Sequence, residues 1–79
     1  MSEKWSKSIE VGFGISGYRT ITGSFDAMIV LTDLWPRRSG LRFIRARNAC
    51  SAAIASRIGG EDARTEFLAA ADEAELSTH

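Results

Sequence analysis

Side chains able to make or break bonds are few in this chain. There is one cysteine, Cys50, and one histidine, His79. A cysteine nucleophile needs a lowered pKa and a base at hand. The lone histidine stands 29 residues downstream at the chain end, so Cys50 reads as a small buried hydrophobe. A zinc site takes about four N, S or O ligands, and Cys50 with His79 does not make one. The acids Glu61, Asp62, Glu66, Asp72, Glu73 and Glu75 crowd one segment and read as a solvated helix face rather than a cation site. Gly12-Phe13-Gly14-Ile15-Ser16-Gly17 spells G-x-G-x-x-G. That pattern holds a dinucleotide when a strand precedes it and a helix opens at its end. Here Tyr18 to Thr22 reads as a strand, so the glycines are expected to form a hairpin turn. No catalytic residue, metal ligand set or cofactor site is expected, and the chain reads as non-enzymatic.

The arginines stand above this background. Between Leu34 and Gly60 there are six, Arg37, Arg38, Arg42, Arg45, Arg47 and Arg57, and no acid; from Glu61 onward there are six acids and only Arg64. Arginine suits bidentate phosphate or carboxylate contacts. Three readings compete. The acidic third segment can neutralise the basic second one within the molecule. The basic and acidic faces can meet across chains, in self-association or with a protein partner. Or the Arg-rich segment 37–47 can bind phosphate or nucleic acid weakly. The last is the least favoured, because a nucleic-acid module shows a basic excess or stacking aromatics, and here ten Lys and Arg balance ten Asp and Glu. Arg37, Arg38, Arg42 and Arg45 are the candidate interaction surface.

The elements that must position these residues follow from periodicity. Ile9, Val11 and Phe13 alternate with Ser8, Glu10 and Gly12, the period of a half-buried strand. Tyr18, Thr20 and Thr22 alternate with Arg19 and Ile21 in a second, and the glycines between them close a hairpin. Ser24 is a suitable N-cap, with Asp26 in the first turn, for a helix carrying Ala27, Met28, Leu31, Leu34 and Trp35. Pro36 stops it. Ser39 can cap a second helix running to about Ile58, with Phe43, Ala46, Cys50, Ala53, Ile54 and Arg57 on one stripe. Ile44, Ala49, Ala52 and Ala55 widen that stripe, which predicts a central helix packed on more than one side. Gly59-Gly60 breaks the chain. Glu61 and Asp62 open a third helix whose buried stripe is Ala63, Phe67, Ala70, Ala71 and Ala74. Trp35 is expected in the core, while Trp5 either covers the hairpin edge or lies at a contact surface.

The expected architecture is α+β: an N-terminal two-stranded antiparallel hairpin packed on three α-helices, order ββααα, in a single small domain spanning 1–79. Residues 1–6 and 75–79 are expected to fray. Length sharpens the functional reading. With 79 residues and 44% apolar composition, apolar burial only roughly offsets ordering entropy at ~1.5 kcal/mol per residue, so a second subunit over a leftover apolar face would help. One cysteine fits a reducing compartment. The first residues show no apolar signal region, and the uncharged apolar run 27–32 is too short to span a bilayer. The cytoplasm is expected, with no membrane partner. The functional expectation is a protein-interaction or regulatory module, with an unidentified protein partner or a homodimer.

These residues also carry a resemblance. The chain resembles a small bacterial family, domain-of-unknown-function family 982, from about Trp5 to Ala74. The matching marks are Arg19, Ile21 and Ser24-x-x-Ala27; Trp35-Pro36, Gly40, Ala46, Cys50 and Ala53; and Ala63-Arg64, Phe67, Ala70-Ala71 and Glu73-Ala74. Two positions depart from the family pattern: Ser8-Ile9 stands where Pro-Val is usual, and Ser56 stands where a glycine follows six residues after the cysteine. The resemblance implies a compact hairpin-plus-helices domain. It carries no established activity, so it transfers no functional residue.

Overall fold

In a computed structural model, which describes residues 4–79, strand β1 (Lys4–Gly12) and strand β2 (Tyr18–Gly23) form an antiparallel pair. Three helices follow: α1 (Ser24–Asp33), α2 (Leu41–Ile54) and α3 (Gly60–Glu73). The ββααα order is the expected one. The buried side of the hairpin carries Ile9, Val11 and Ile21, packed on the helices.

The register runs Ile9↔Ile21, Glu10↔Thr20, Val11↔Arg19 and Gly12↔Tyr18, then slips before Lys4↔Gly23. At the slip, Trp5 to Ser8 stand opposite Thr22 alone, so β1 must find other partners for its backbone. Side chains of α3 supply them. The Ser6 N–H donates to Glu61 Oε2 at 2.7 Å, and Arg64 Nε donates to the Lys7 carbonyl at 3.1 Å. The Ser6 contact holds the Glu61 carboxyl below its ordinary range. The first turn of α3 is therefore a clamp on the irregular strand as well as a dipole-matched start.

Trp5 is buried, not spread over an edge or exposed. Its ring lies 5.6 Å from Phe67, and its indole N–H donates to Ser24 Oγ at 3.2 Å. Ser24 is consequently the first residue of α1, with Gly23 before it as cap. No side chain caps α1; Asp26 in its first turn reaches back instead, its Oδ2 accepting from the Thr22 N–H and hydroxyl at 3.1 and 2.6 Å. Those bonds lower the Asp26 pKa, the hydroxyl contributing most. Trp35, one residue before Pro36, ends the connection in the core. It stands 5.4 Å from Phe67 and 6.1 Å from Phe13, forming an aromatic string from strand to helix.

Helices α2 and α3 meet through small side chains, Ala46, Cys50 and Ala53 against Ala63, Ala70 and Ala71, all buried. Helix α2 stops at Ile54, four residues short of the predicted end. It closes in a Schellman turn: the Ser56 N–H bonds the Ala53 carbonyl and the Arg57 N–H bonds the Ala52 carbonyl. Ser56 adopts φ 64°, the left-handed region where a side chain costs about 1–2 kcal/mol relative to glycine. The family's glycine belongs at this site. Ser56→Gly is expected to stabilise the domain by about 1 kcal/mol, read as a higher urea midpoint with unchanged slope. A lower midpoint would show that the Ser56 side chain has a structural role.

Regular pairing reaches into the segments expected to fray. Lys4, Trp5 and Ser6 belong to β1, while residues 1–3 lie outside the described residues. At the other end Glu75, at φ 59°, closes α3 in a second Schellman turn: its N–H bonds the Asp72 carbonyl, and the Leu76 N–H bonds the Ala71 carbonyl. The turn sends Leu76 against the core and lays the last three residues along β1. There, Glu10 and His79 exchange two backbone bonds at 3.0 and 2.8 Å, and the Gly12 N–H bonds the Ser77 carbonyl at 2.9 Å. A side chain at Gly12 would crowd that crossing, since its Cβ would stand 2.6 Å from Ser77 Oγ and 2.9 Å from the Tyr18 ring, and both would have to move.

Candidate interaction surface

The four candidate arginines are all exposed, but they divide between settings. Arg37 and Arg38 lie in the connection between α1 and α2; Arg42 and Arg45 lie one turn apart on α2. Arg45 faces α3, its Nε 3.6 Å from Glu66 Oε1, in an open groove of about 500 Å³ shared with Asn48, Ala49, Ile58, Asp62 and Thr65. Arg37 lines a second groove with Pro36, Glu73, Ala74 and Glu75. Among the described residues Arg37, Arg38 and Arg42 make no ion pair. The acidic helix thus meets the basic one through Arg45 alone, an exposed pair of the kind worth about 0–1 kcal/mol. Arg47 lies over the Phe43 ring, 5.8 Å from its centroid.

The other candidates fall where their chemistry is used structurally. Gly14 and Gly17 take positive φ, 64° and 82°, in a one-turn 3-10 bend over residues 14–16. The Phe13 N–H reaches the Gly17 carbonyl at 2.9 Å, and the chain runs straight into β2, so no helix N-terminus faces the loop. Cys50 is fully enclosed, and burial pushes its thiol up to about 12. Native protein is therefore expected to resist a thiol reagent, with Cys50 reacting only at the rate of unfolding or in denaturant. Labelling of the native protein as fast as a free thiol would show that helix α2 opens at Cys50. The His79 ring lies 5.8 Å from Tyr18. Among the described residues no three His, Cys, Asp or Glu come together in a metal-binding group, and no helix is long and apolar enough to cross a membrane.

Two surfaces were not singled out by the stripe analysis. On α2, Leu41 is 65% exposed and Ile44 43%. Spaced i, i+3 and i+4 with Arg45, they share one face of the helix. The helix packs on α1 and α3 as expected for a central helix, yet this third side is open, and Ile44 belongs to it rather than to the core. The second surface is the outer border of β2. A groove of about 200 Å³ runs there, lined by Arg19, Thr20 and Ile21 of the strand and Asp26, Ile29 and Val30 of α1. Ile29 and Phe25, one helical turn apart, both stand largely in solvent. Each lies off the Ala27–Val30–Leu31 stripe, and that displacement is the signal in the sequence that marks them.

Comparison with known proteins agrees with this geometry. The family model described as "Protein of unknown function (DUF982)" matches residues 7–78. The NMR structure of Agrobacterium tumefaciens protein Atu1219, a structural genomics target, superposes with a TM-score of 0.78 at 30% identity, covering 91% of this chain and 72% of that one. Comparison with curated proteins returns no match.

Proposed function

We propose, starting from the fact that this chain belongs to DUF982, a family of proteins of unknown function, that it is a non-enzymatic protein-interaction or regulatory module of the bacterial cytoplasm. The observation that carries this reading is the open face of α2. Leu41 and Ile44 stand in solvent beside Arg42 and Arg45, while Phe43 and Ala46 on the same helix are enclosed. Leaving two large aliphatic side chains partly exposed together on the surface forgoes roughly half of the about 1.5–3 kcal/mol that full burial supplies for each, which a partner would recover. Arg42, which has no ion pair among the described residues, and the exposed Arg45 beside it favour a partner with acidic groups around an apolar centre.

The test is affinity capture from native lysate with the wild-type chain and the double variant Leu41→Asp, Ile44→Asp. These positions are exposed, so the melting temperature is expected to hold. Proteins retained by the wild type and lost from the variant support the reading; the same set from both, with the fold intact, overturns it.

A second reading rests on Arg37, Arg38 and Arg42, the three arginines without a carboxylate partner beside the start of α2. They favour weak binding of phosphate or nucleic acid. That reading predicts salt-sensitive RNA or DNA binding that is lost when the three are changed to Glu.

A further inference from the structure

The hairpin has two borders, and the fold treats them differently. The border of β1 is covered by the chain's own tail, through the Glu10–His79 and Gly12–Ser77 backbone bonds. Those bonds also fix which way β2 faces. Successive residues of a strand direct their N–H and C=O groups to opposite borders. Glu10 and Gly12 point to the tail, so Ile9 and Val11 point to β2, and their register partners Ile21 and Arg19 point back. Tyr18, Thr20 and Thr22 must then direct their backbone groups outward, and of these the Thr22 N–H is already taken by Asp26 Oδ2. Among the described residues no strand takes them up, since the sheet order is β1-β2 alone. An open strand border is a template for another strand.

The flanks of this border are complementary to themselves. Arg19 and Asp26 line the same groove, with Ile29 between strand and helix. Asp26 accepts from Thr22 through Oδ2 and lies within the field of Lys4. We propose that β2 pairs with β2 of a second copy of this chain, antiparallel about Thr20, with Arg19 of each copy reaching Asp26 of the other. In this register Thr20 exchanges both backbone bonds with its counterpart, and Arg19 falls opposite Ile21 rather than opposite the other Arg19. The Ile29 side chains, exposed beneath the two borders, are covered by the same step. The contact is isologous. Because each tail already occupies the far border, the assembly closes at two chains and leaves no strand to recruit a third.

This inference deepens the interaction reading by naming one partner and one face, and it is tested apart from the α2 surface. Light scattering after size exclusion, at low and high micromolar concentration, is expected to show the chain mass doubling as concentration rises. Under dimer conditions the Thr20 amide is expected to exchange with solvent about tenfold slower or more, losing that protection on dilution. Arg19→Glu and Ile29→Asp, made separately, should each hold the chain monomeric with the helical spectrum and melting curve retained. A wild-type monomer throughout overturns the proposal. So does a dimer that persists in both variants, or one in which Thr20 stays unprotected. Such a dimer, abolished instead by Leu41→Asp with Ile44→Asp, would sustain the interaction reading while refuting this face.

Discussion

Phe67→Ala is expected to cost about 3–5 kcal/mol, enough to unfold much of the protein at ambient temperature. Domains are stable by about 0.05–0.15 kcal/mol per residue, which for 79 residues is about 4–12 kcal/mol, so the loss takes a large part of the margin and, at its lower end, all of it. The reason is position. Phe67 is fully enclosed and is touched from two sides, by Trp5 at 5.6 Å and Trp35 at 5.4 Å. Trp5 comes from the first strand and Trp35 from the connection after α1, so the Phe67 ring joins both to α3, alongside the Phe13–Trp35 contact. The alanine-lined seam between α2 and α3 holds no long side chain able to swing in and fill the void, which favours the upper end of the cost. Urea unfolding measures it, with Phe67→Leu as a milder control. A loss below about 1.5 kcal/mol for the alanine variant would mean that the aromatic string adds little beyond ordinary packing.

Removing residues 75–79 is expected to destabilise by about 3 kcal/mol. Leu76 gives up a partly buried side chain, worth up to about 1.5–3 kcal/mol. Three backbone bonds to β1 go with it, each worth about 0.5–1.5 kcal/mol net, and the entropy regained by a loose tail offsets part of the sum. Gly12→Val should act in the same direction and less severely, because its side chain collides with Ser77 and Tyr18 while the Leu76 anchor stays. The check is again a urea midpoint, together with amide exchange at Glu10. Its N–H is bonded to the His79 carbonyl and should become exchangeable in both variants. If truncation leaves stability and Glu10 protection unchanged, the tail is an ornament and the expectation of fraying was right.

Most of the scaffold was legible because its signals are local. The alternation around Ile9 and Val11, the Gly14–Gly17 bend, the Trp35-Pro36 stop and the stripes centred on Cys50 and Phe67 each involve residues within a turn or two of one another. What was not legible depends on chain segments far apart. Trp5 lacks a periodic context of its own, and only the tertiary fold shows that its indole seeks Ser24, nineteen residues away. Ser24 has the residue type of a cap, yet its hydroxyl is taken by Trp5, and Asp26, two residues on, ties the first turn back to Thr22. Glu61 and Arg64 looked like members of a charged face, yet their backbone partners, Ser6 and Lys7, are 55 and 57 residues distant. The tail escaped because polar residues at a chain end carry no hydrophobic period, and Leu76 alone marks the anchor. As for the candidate surface, the charge pattern marks the four arginines, but only geometry shows that Arg45 is engaged by Glu66 while Arg37, Arg38 and Arg42 make no ion pair among the described residues.

The bonding of Glu10 to His79 bears on how the protein comes into being. During translation the hairpin is made first, and its β1 border stays bare until residues 77–79 have emerged to pair with it. Helices α1 and α2 can form as they emerge, since their contacts are short in sequence, but the pairing of Glu10 with His79 links residues far apart along the chain and closes slowly for that reason. Until it closes, the hairpin carries two open strand borders where the folded domain carries a single one. Its time of greatest exposure to wrong pairing is the interval before residues 77–79 reach β1.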